Sequence, residues 1–173
     1  MASEKLLRFE WRRCSDSGGR CFPSHVSCHD ELAGANLDIY SLFNNQEREN
    51  EMIAYTMVGT NDLPRAGAFY DALFGPLGYK RLSEDGDRIA WGIDFAHPVF
   101  FATKPFDGEP ATVGNGVMIA LAMKNKAEVD LTHRNALKLG GSDEGAAGSR
   151  GPSFYCGYFR DLDGNKINLF CMT

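Results

Sequence analysis

One order of elements is written twice between residues 52 and 173, and this repetition restricts the fold more than any other feature of the chain. Each half reads strand, helix and then further strands, and each helix closes on Leu-Gly, at Leu77-Gly78 and at Leu139-Gly140. In the first half, residues 52–60 (MIAYTMVGT) are apolar and β-prone, and Thr60-Asn61-Asp62 supplies turn chemistry. Pro64 suits the first turn of a helix, where its missing N–H costs nothing. Ala66, Phe69, Tyr70, Leu73 and Leu77 then form one apolar stripe. Gly75-Pro76 makes the last turn irregular, and Gly78 ends it. Short β-like runs follow at 79–83, 88–93 and 98–103, the first two joined by a hairpin turn at Asp85-Gly86-Asp87.

A polar linker over 104–116 leads into the second half. Residues 117–123 predict a strand, and 126–139 predict a helix with Val129, Leu131, Ala136, Leu137 and Leu139 as its apolar positions. Strands follow at 154–160 and 166–172, joined by a turn over 161–165. The strand between this helix and Phe154 is poorly marked, because 142–152 is mostly small and polar. A sheet with a helix on one face leaves its other face open, so neither half buries its sheet alone. The expected fold is α+β: two paired βαβββ modules forming a curved mixed sheet around a central cleft, which is the natural ligand site.

Bulk properties narrow the function. The net charge is -5 and no Lys/Arg cluster is present, which argues against nucleic acid as a partner. No apolar run approaches the roughly 18–20 residues of a membrane span, so no membrane partner is expected. The opening MASEKLLRFEWRR lacks the apolar centre of a signal peptide. Five cysteines is an odd count beside ample core-forming residues, a poor match to a secreted disulfide framework. The expected location is cytoplasmic.

Residues 1–51 lack sustained periodicity and are expected to lie outside the core domain, which spans 52–173, either as an extension or, as the strong patterning from Met52 favours, as upstream sequence ahead of a start at Met52. Cys14, Cys21 and Cys28 fall here beside His25 and His29, but without the C-x₂₋₄-C knuckle of structural zinc sites.

Val58-Gly59-Thr60-Asn61-Asp62-Leu63, with Ala68-Phe69-Tyr70 and Leu77-Gly78-Tyr79, resembles the opening of vicinal oxygen chelate proteins, the glyoxalase/bleomycin-resistance-like superfamily. Residues 158–167 (YFRDLDGNKI) resemble that family's F-x-D-P-D-G-N turn into the last strand, with Leu162 in place of Pro. Gly114-Asn115-Gly116 and Pro105-Phe106-Asp107-Gly108 resemble a bacterial branch. The resemblance spans 52–173 and implies the paired βαβββ fold, often with a divalent metal held by His, Glu or Gln, and often a homodimer formed through the sheets.

At the positions where relatives hold the metal, this chain carries Tyr55, Met118 and Asn168, while the fourth strand offers Val99, Phe100 and Phe101. A phenol stays protonated to about pH 10, a thioether is a weak soft donor and an amide oxygen is uncharged. Divalent metals of this class take imidazole or carboxylate. No metal or other cofactor is therefore expected. Alternation groups Ile53, Tyr55 and Met57 with Met118, Ala120, Asn168 and Phe170 as cleft-facing residues. Tyr158 and Cys156 share a face of the preceding strand, and Trp91 is a candidate wall from the first half. Arg150, among the small residues of 145–151, reads either as a clamp for an anionic ligand group or as a solvated cation. The expected ligand is a small, planar or partly apolar molecule.

Three readings stay open: a metal-independent small-molecule-binding protein, a glyoxalase-type lyase using Tyr55 as proton donor, and a non-catalytic sequestering protein. Cys156 is expected to be a buried inert thiol, His133 a solvated helix residue and His97 a rim residue.

Overall fold

The computed structural model describes residues 52–173; the Cys/His set of the N-terminal segment lies outside them. Eight strands and two helices follow the order read from the sequence. They are β1 (Tyr55–Gly59), α1 (Leu63–Phe74), β2 (Lys80–Glu84), β3 (Arg88–Gly92) and β4 (Val99–Thr103), then β5 (Ile119–Ala122), α2 (Lys126–Lys138), β6 (Ser142–Ser149), β7 (Phe154–Arg160) and β8 (Lys166–Met172). Each half makes a four-stranded mixed sheet, ordered β1-β4-β3-β2 and β5-β8-β7-β6, with the β1–β4 and β5–β8 pairs parallel. No helix of the described residues is long and apolar enough to cross a membrane.

Local chemistry sets the helix ends. The Asp62 carboxylate accepts from Arg65 N–H and Pro64 enters the first turn of α1. A 3₁₀ turn over Gly75–Leu77 absorbs Gly75-Pro76, and Gly78 closes it at φ +87°. Asn125 caps α2 through Glu128 N–H.

One expected strand is found where its sequence signal was weakest, and one helix expectation needs correction. Residues 142–149, which carry no hydrophobic alternation, are an edge strand: β6 takes its pairing from β7, with register shifts between Asp143 and Gly148. Leu131 is 48% exposed, and α2 buries Val129, Thr132, His133 and Ala136 instead. That set is the i, i+3, i+4, i+7 face, so the polar Thr132 and His133 occupy positions that an apolar-only count passes over.

One core joins the halves. Ile89, Trp91, Phe100 and Ala102 of the first sheet and Phe159, Ile167 and Leu169 of the second belong to a single cluster with both helices. The Phe69 and Phe159 rings lie 6.4 Å apart, bringing α1 against the helix side of the second sheet. The β7–β8 turn completes the joint. Thr60 Oγ1 and Arg65 Nη2 donate to the Asp163 carboxylate at 2.7 and 2.8 Å, and Asn165 Nδ2 donates to Gly59 O at 2.9 Å. Buried Tyr70 donates to Asp161 at 2.6 Å. The turn is thus a clasp between modules as well as a hairpin.

Candidate functional site

The register of each sheet fixes which side chains share its open face, opposite the helix. In the first sheet β1 pairs Tyr55 with Val99 and Met57 with Phe101, while β3 pairs Ala90 with Phe101. Ala90, Val99 and Phe101 form a small cluster of their own on this side. The Tyr55 ring stands edge-on to Phe101 at 5.6 Å. In the second sheet Ala120 lies opposite Asn168 and Ala122 opposite Phe170, while β7 sets Cys156 against Phe170 and Tyr158 against Asn168. Tyr55, Asn168 and Tyr158 therefore occupy open faces as the alternation predicts, with Met118 just before β5.

Trp91 does not join them. It pairs with Phe100 on the helix side, is only 2% exposed, and donates its indole N–H to Asp71 at 2.8 Å. Its place one residue from Ala90 puts it on the opposite face of β3, so its expected role as a cleft wall is corrected to a core role. Burial opposes ionisation of Asp71, yet hydrogen bonds from Arg81 and Trp91 bring its carboxyl below the usual value.

The open faces remain accessible in the single chain. Tyr55 is 54% exposed, Met57 45%, Met118 44%, Phe154 45% and Met172 65%. A cavity of about 80 Å³ sits where the end of β1 meets Val117, Ile119 and Lys166, too small for anything beyond solvent. Among the described residues, the two open faces thus present surfaces and no enclosed cavity; a wider pocket of about 470 Å³ lies elsewhere, between α1 and the β2–β3 hairpin, lined by Asp71, Arg81, Glu84 and Lys104.

Asn168 is the exception in both burial and satisfaction. It is 8% exposed, and its buried Oδ1 has no hydrogen-bond partner among the described residues. Buried polar atoms are nearly always paired, so an orphan acceptor on this face points to a group supplied from outside. Beside it, Tyr158 lies between two cations, Arg150 at 5.8 Å and Lys166 at 5.7 Å from the ring centroid. Burial, then a hydrogen bond with Cys156, raises the Tyr158 hydroxyl above its ordinary value.

Tyr55, Met118 and Asn168 bring a phenol, a thioether and an amide to the positions where the family resemblance implies a divalent ion. This donor set does not fit such an ion. Among the described residues, no group of three His, Cys, Asp or Glu side chains could hold a metal.

Sequence reasoning missed His133. It is 5% exposed, with Nε2 3.0 Å from Tyr158 O and 3.3 Å from Asp143 Oδ1. Its spacing of four from Val129 was the available signal. Cys156 is buried and unbridged as expected, and His97 is an exposed residue at hydrogen-bond distance from Asp94.

No family model and no curated protein sequence matches the chain. Solved structures do. A glyoxalase/bleomycin resistance protein from Albidiferax ferrireducens T118 is 35% identical with a TM-score of 0.65, over 70% of this chain and 98% of that one. A glyoxalase-related enzyme from Fulvimarina pelagi is similar at 19% identity and TM-score 0.58, over 70% and 88% of the two chains. A glyoxalase/bleomycin resistance protein/dioxygenase family enzyme from Burkholderia phytofirmans PsJN is similar at 15% identity and TM-score 0.57, over 69% and 98%. The last two establish the fold alone.

Proposed function

Since the chain belongs to the glyoxalase/bleomycin resistance protein family, within the vicinal oxygen chelate superfamily, we propose that it is a small-molecule-binding member that works without a metal ion. The observation that carries this reading is Asn168: where relatives place a metal ligand, this chain holds a neutral amide whose buried oxygen lacks a partner. Tyr55, Met57 and Phe101 on the open face of the first sheet, with Phe170 on that of the second and Met118 just before β5, offer aromatic and thioether groups, which suit a small and partly apolar ligand.

Enclosure comes from a second copy. Small-molecule sites bury most of their ligand's surface, and the half-exposed side chains of both open faces leave that wall unbuilt in one chain. A two-fold dimer sets the first sheet of each copy against the second sheet of the other, twice over, and leaves neither face uncovered. Both faces expose large apolar side chains, Tyr55 and Met57 on the first and Phe154 and Met172 on the second, which a partner sheet would cover.

Dialysis against Ni²⁺, Zn²⁺ or Mn²⁺, followed by measurement of retained metal, tests the metal-free reading. The expected result is no stoichiometric retention. One equivalent per chain, lost in Asn168→Ala, would sink it. A small-molecule thermal-shift screen tests binding, because a ligand of the native state alone raises stability by mass action. A hit recovered chemically unchanged supports sequestration, and one consumed in wild type but not in Tyr55→Phe supports a lyase.

A further inference from the structure

The open face of the second sheet carries a charge pattern that an apolar ligand alone leaves unused. We propose that this face takes a small organic monoanion with a hydroxyl or amide N–H donor on a flat apolar body. Asn168 Oδ1 receives the donor, and Arg150 with Lys166 holds the acid group. This rests on the metal-free, small-molecule reading and names its ligand class.

Arg150 is positioned rather than loose. Its guanidinium donates to Ala146 O at 2.9 Å and Ser149 O at 3.2 Å and lies over the Tyr158 ring. Glycines clear the space it occupies. A Cβ on Gly148 would stand 3.2 Å from Arg150 Nη1, and one on Gly145 would stand 3.1 Å from the Tyr158 ring. Among the described residues no carboxylate pairs with Arg150. Guanidinium forks match planar acids, so a fixed and unneutralised one is a recognition element.

Lys166 adds to this charge. It and Arg160 share one carboxylate, Glu144, so two cations face a single anion there. The Arg160 and Lys166 hydrogen bonds hold the Glu144 carboxyl below its usual value. Asn168 is two residues beyond Lys166 on the same face, roughly 7 Å along the strand, and sits directly opposite Tyr158. One small molecule therefore reaches both the orphan acceptor and the cations. Ala120 and Phe170 beside Asn168 leave an apolar seat for its body.

The test uses the full chain in EDTA, titrated calorimetrically with 3-hydroxybenzoate, 3-hydroxybenzamide and benzoate. The first carries acid and donor, the second lacks the charge and the third lacks the hydroxyl. The expected result is that 3-hydroxybenzoate binds about tenfold tighter than either of the others, the effect of one good polar contact. Arg150→Gln with Lys166→Gln removes the preference over the amide and keeps the preference over benzoate, and Arg150→Gln alone reduces it; Asn168→Leu removes the preference over benzoate and keeps that over the amide. If Asn168→Leu fails to fold, the benzoate comparison on the unaltered chain decides the donor half.

Equal binding of all three compounds overturns the anion-and-donor assignment and leaves the apolar metal-free site standing. Acid preference that is undiminished in Arg150→Gln overturns the role of Arg150, and failure of all three to bind overturns the ligand class. Stoichiometric metal retention removes the metal-free reading instead and leaves selectivity measured in EDTA intact.

Discussion

Tyr70 and Gly157 show how single residues hold this fold together. The Tyr70 hydroxyl is buried and donates to Asp161, which also accepts from the Asp163 and Asn165 backbone N–H groups and from Asn165 Nδ2. Burial, followed by the nearby Asp161 charge, raises the Tyr70 pKa well above the usual 10.0. A folded-state pKa above the unfolded one means stability that is complete below about pH 10 and lost as pH rises further. Chemical denaturation between pH 8 and 11 should show a steeper alkaline loss for wild type than for Tyr70→Phe. At pH 7 the substitution should cost about 1–2 kcal/mol, since Asn165 still serves the carboxylate. Gly157 is confined by a ring instead of a charge. A Cβ there would lie 3.0 Å from His133 Cδ2. Because His133 is fixed against Tyr158 O, Gly157→Ala should destabilise by about 1–3 kcal/mol, readable as a lower melting temperature.

At the scale of elements, α2 gives the sharpest contrast between pattern and packing. Leu131 is its most conspicuous apolar residue, yet it is 48% exposed while Val129 is fully buried. Val129→Ala should cost about 2 kcal/mol and Leu131→Ala within about 0.5 kcal/mol, compared by urea denaturation. Equal costs would show that the helix is rotated from the orientation described. The N-cap makes a separate contribution. Asn125→Ala removes the acceptor for Glu128 N–H and should cost about 1 kcal/mol. β6 follows other rules, since its glycines and alanines bring little β-propensity of their own. It persists because β7 offers a full ladder edge, and its glycines leave room for Arg150 and Tyr158.

For the whole molecule, the decisive property is that among the described residues two sheet faces stay open while one core fuses the halves. The proposed two-fold dimer predicts a concentration-dependent monomer–dimer equilibrium in sedimentation experiments. Met57→Glu and Phe154→Glu place charge on the two faces and should shift it to monomer with the far-UV circular dichroism unchanged. A wild-type chain that sediments as a monomer at all concentrations would remove the second wall of the proposed site. Ligand binding should then track dimer content, because the same association builds the enclosure.

The order of elements, the two halves and the face assignments of Tyr55, Asn168 and Tyr158 were legible in the residues themselves. Amphipathic periodicity is a local property, and a strand's alternation fixes its faces before any partner is known. The resemblance at the Val58–Leu63 and 158–167 segments likewise pointed to the family that the 35% identical structure establishes. Contacts distant in sequence decided the rest. Pairing with β7 secured the weakly marked β6, the hydrogen bond to Asp71 and packing by Phe100 held Trp91 toward the helix, and packing on β7 buried His133. The orphaned oxygen of Asn168 is of the same kind: whether a polar group finds a partner depends on what the folded chain brings within hydrogen-bond distance, and no local pattern records that.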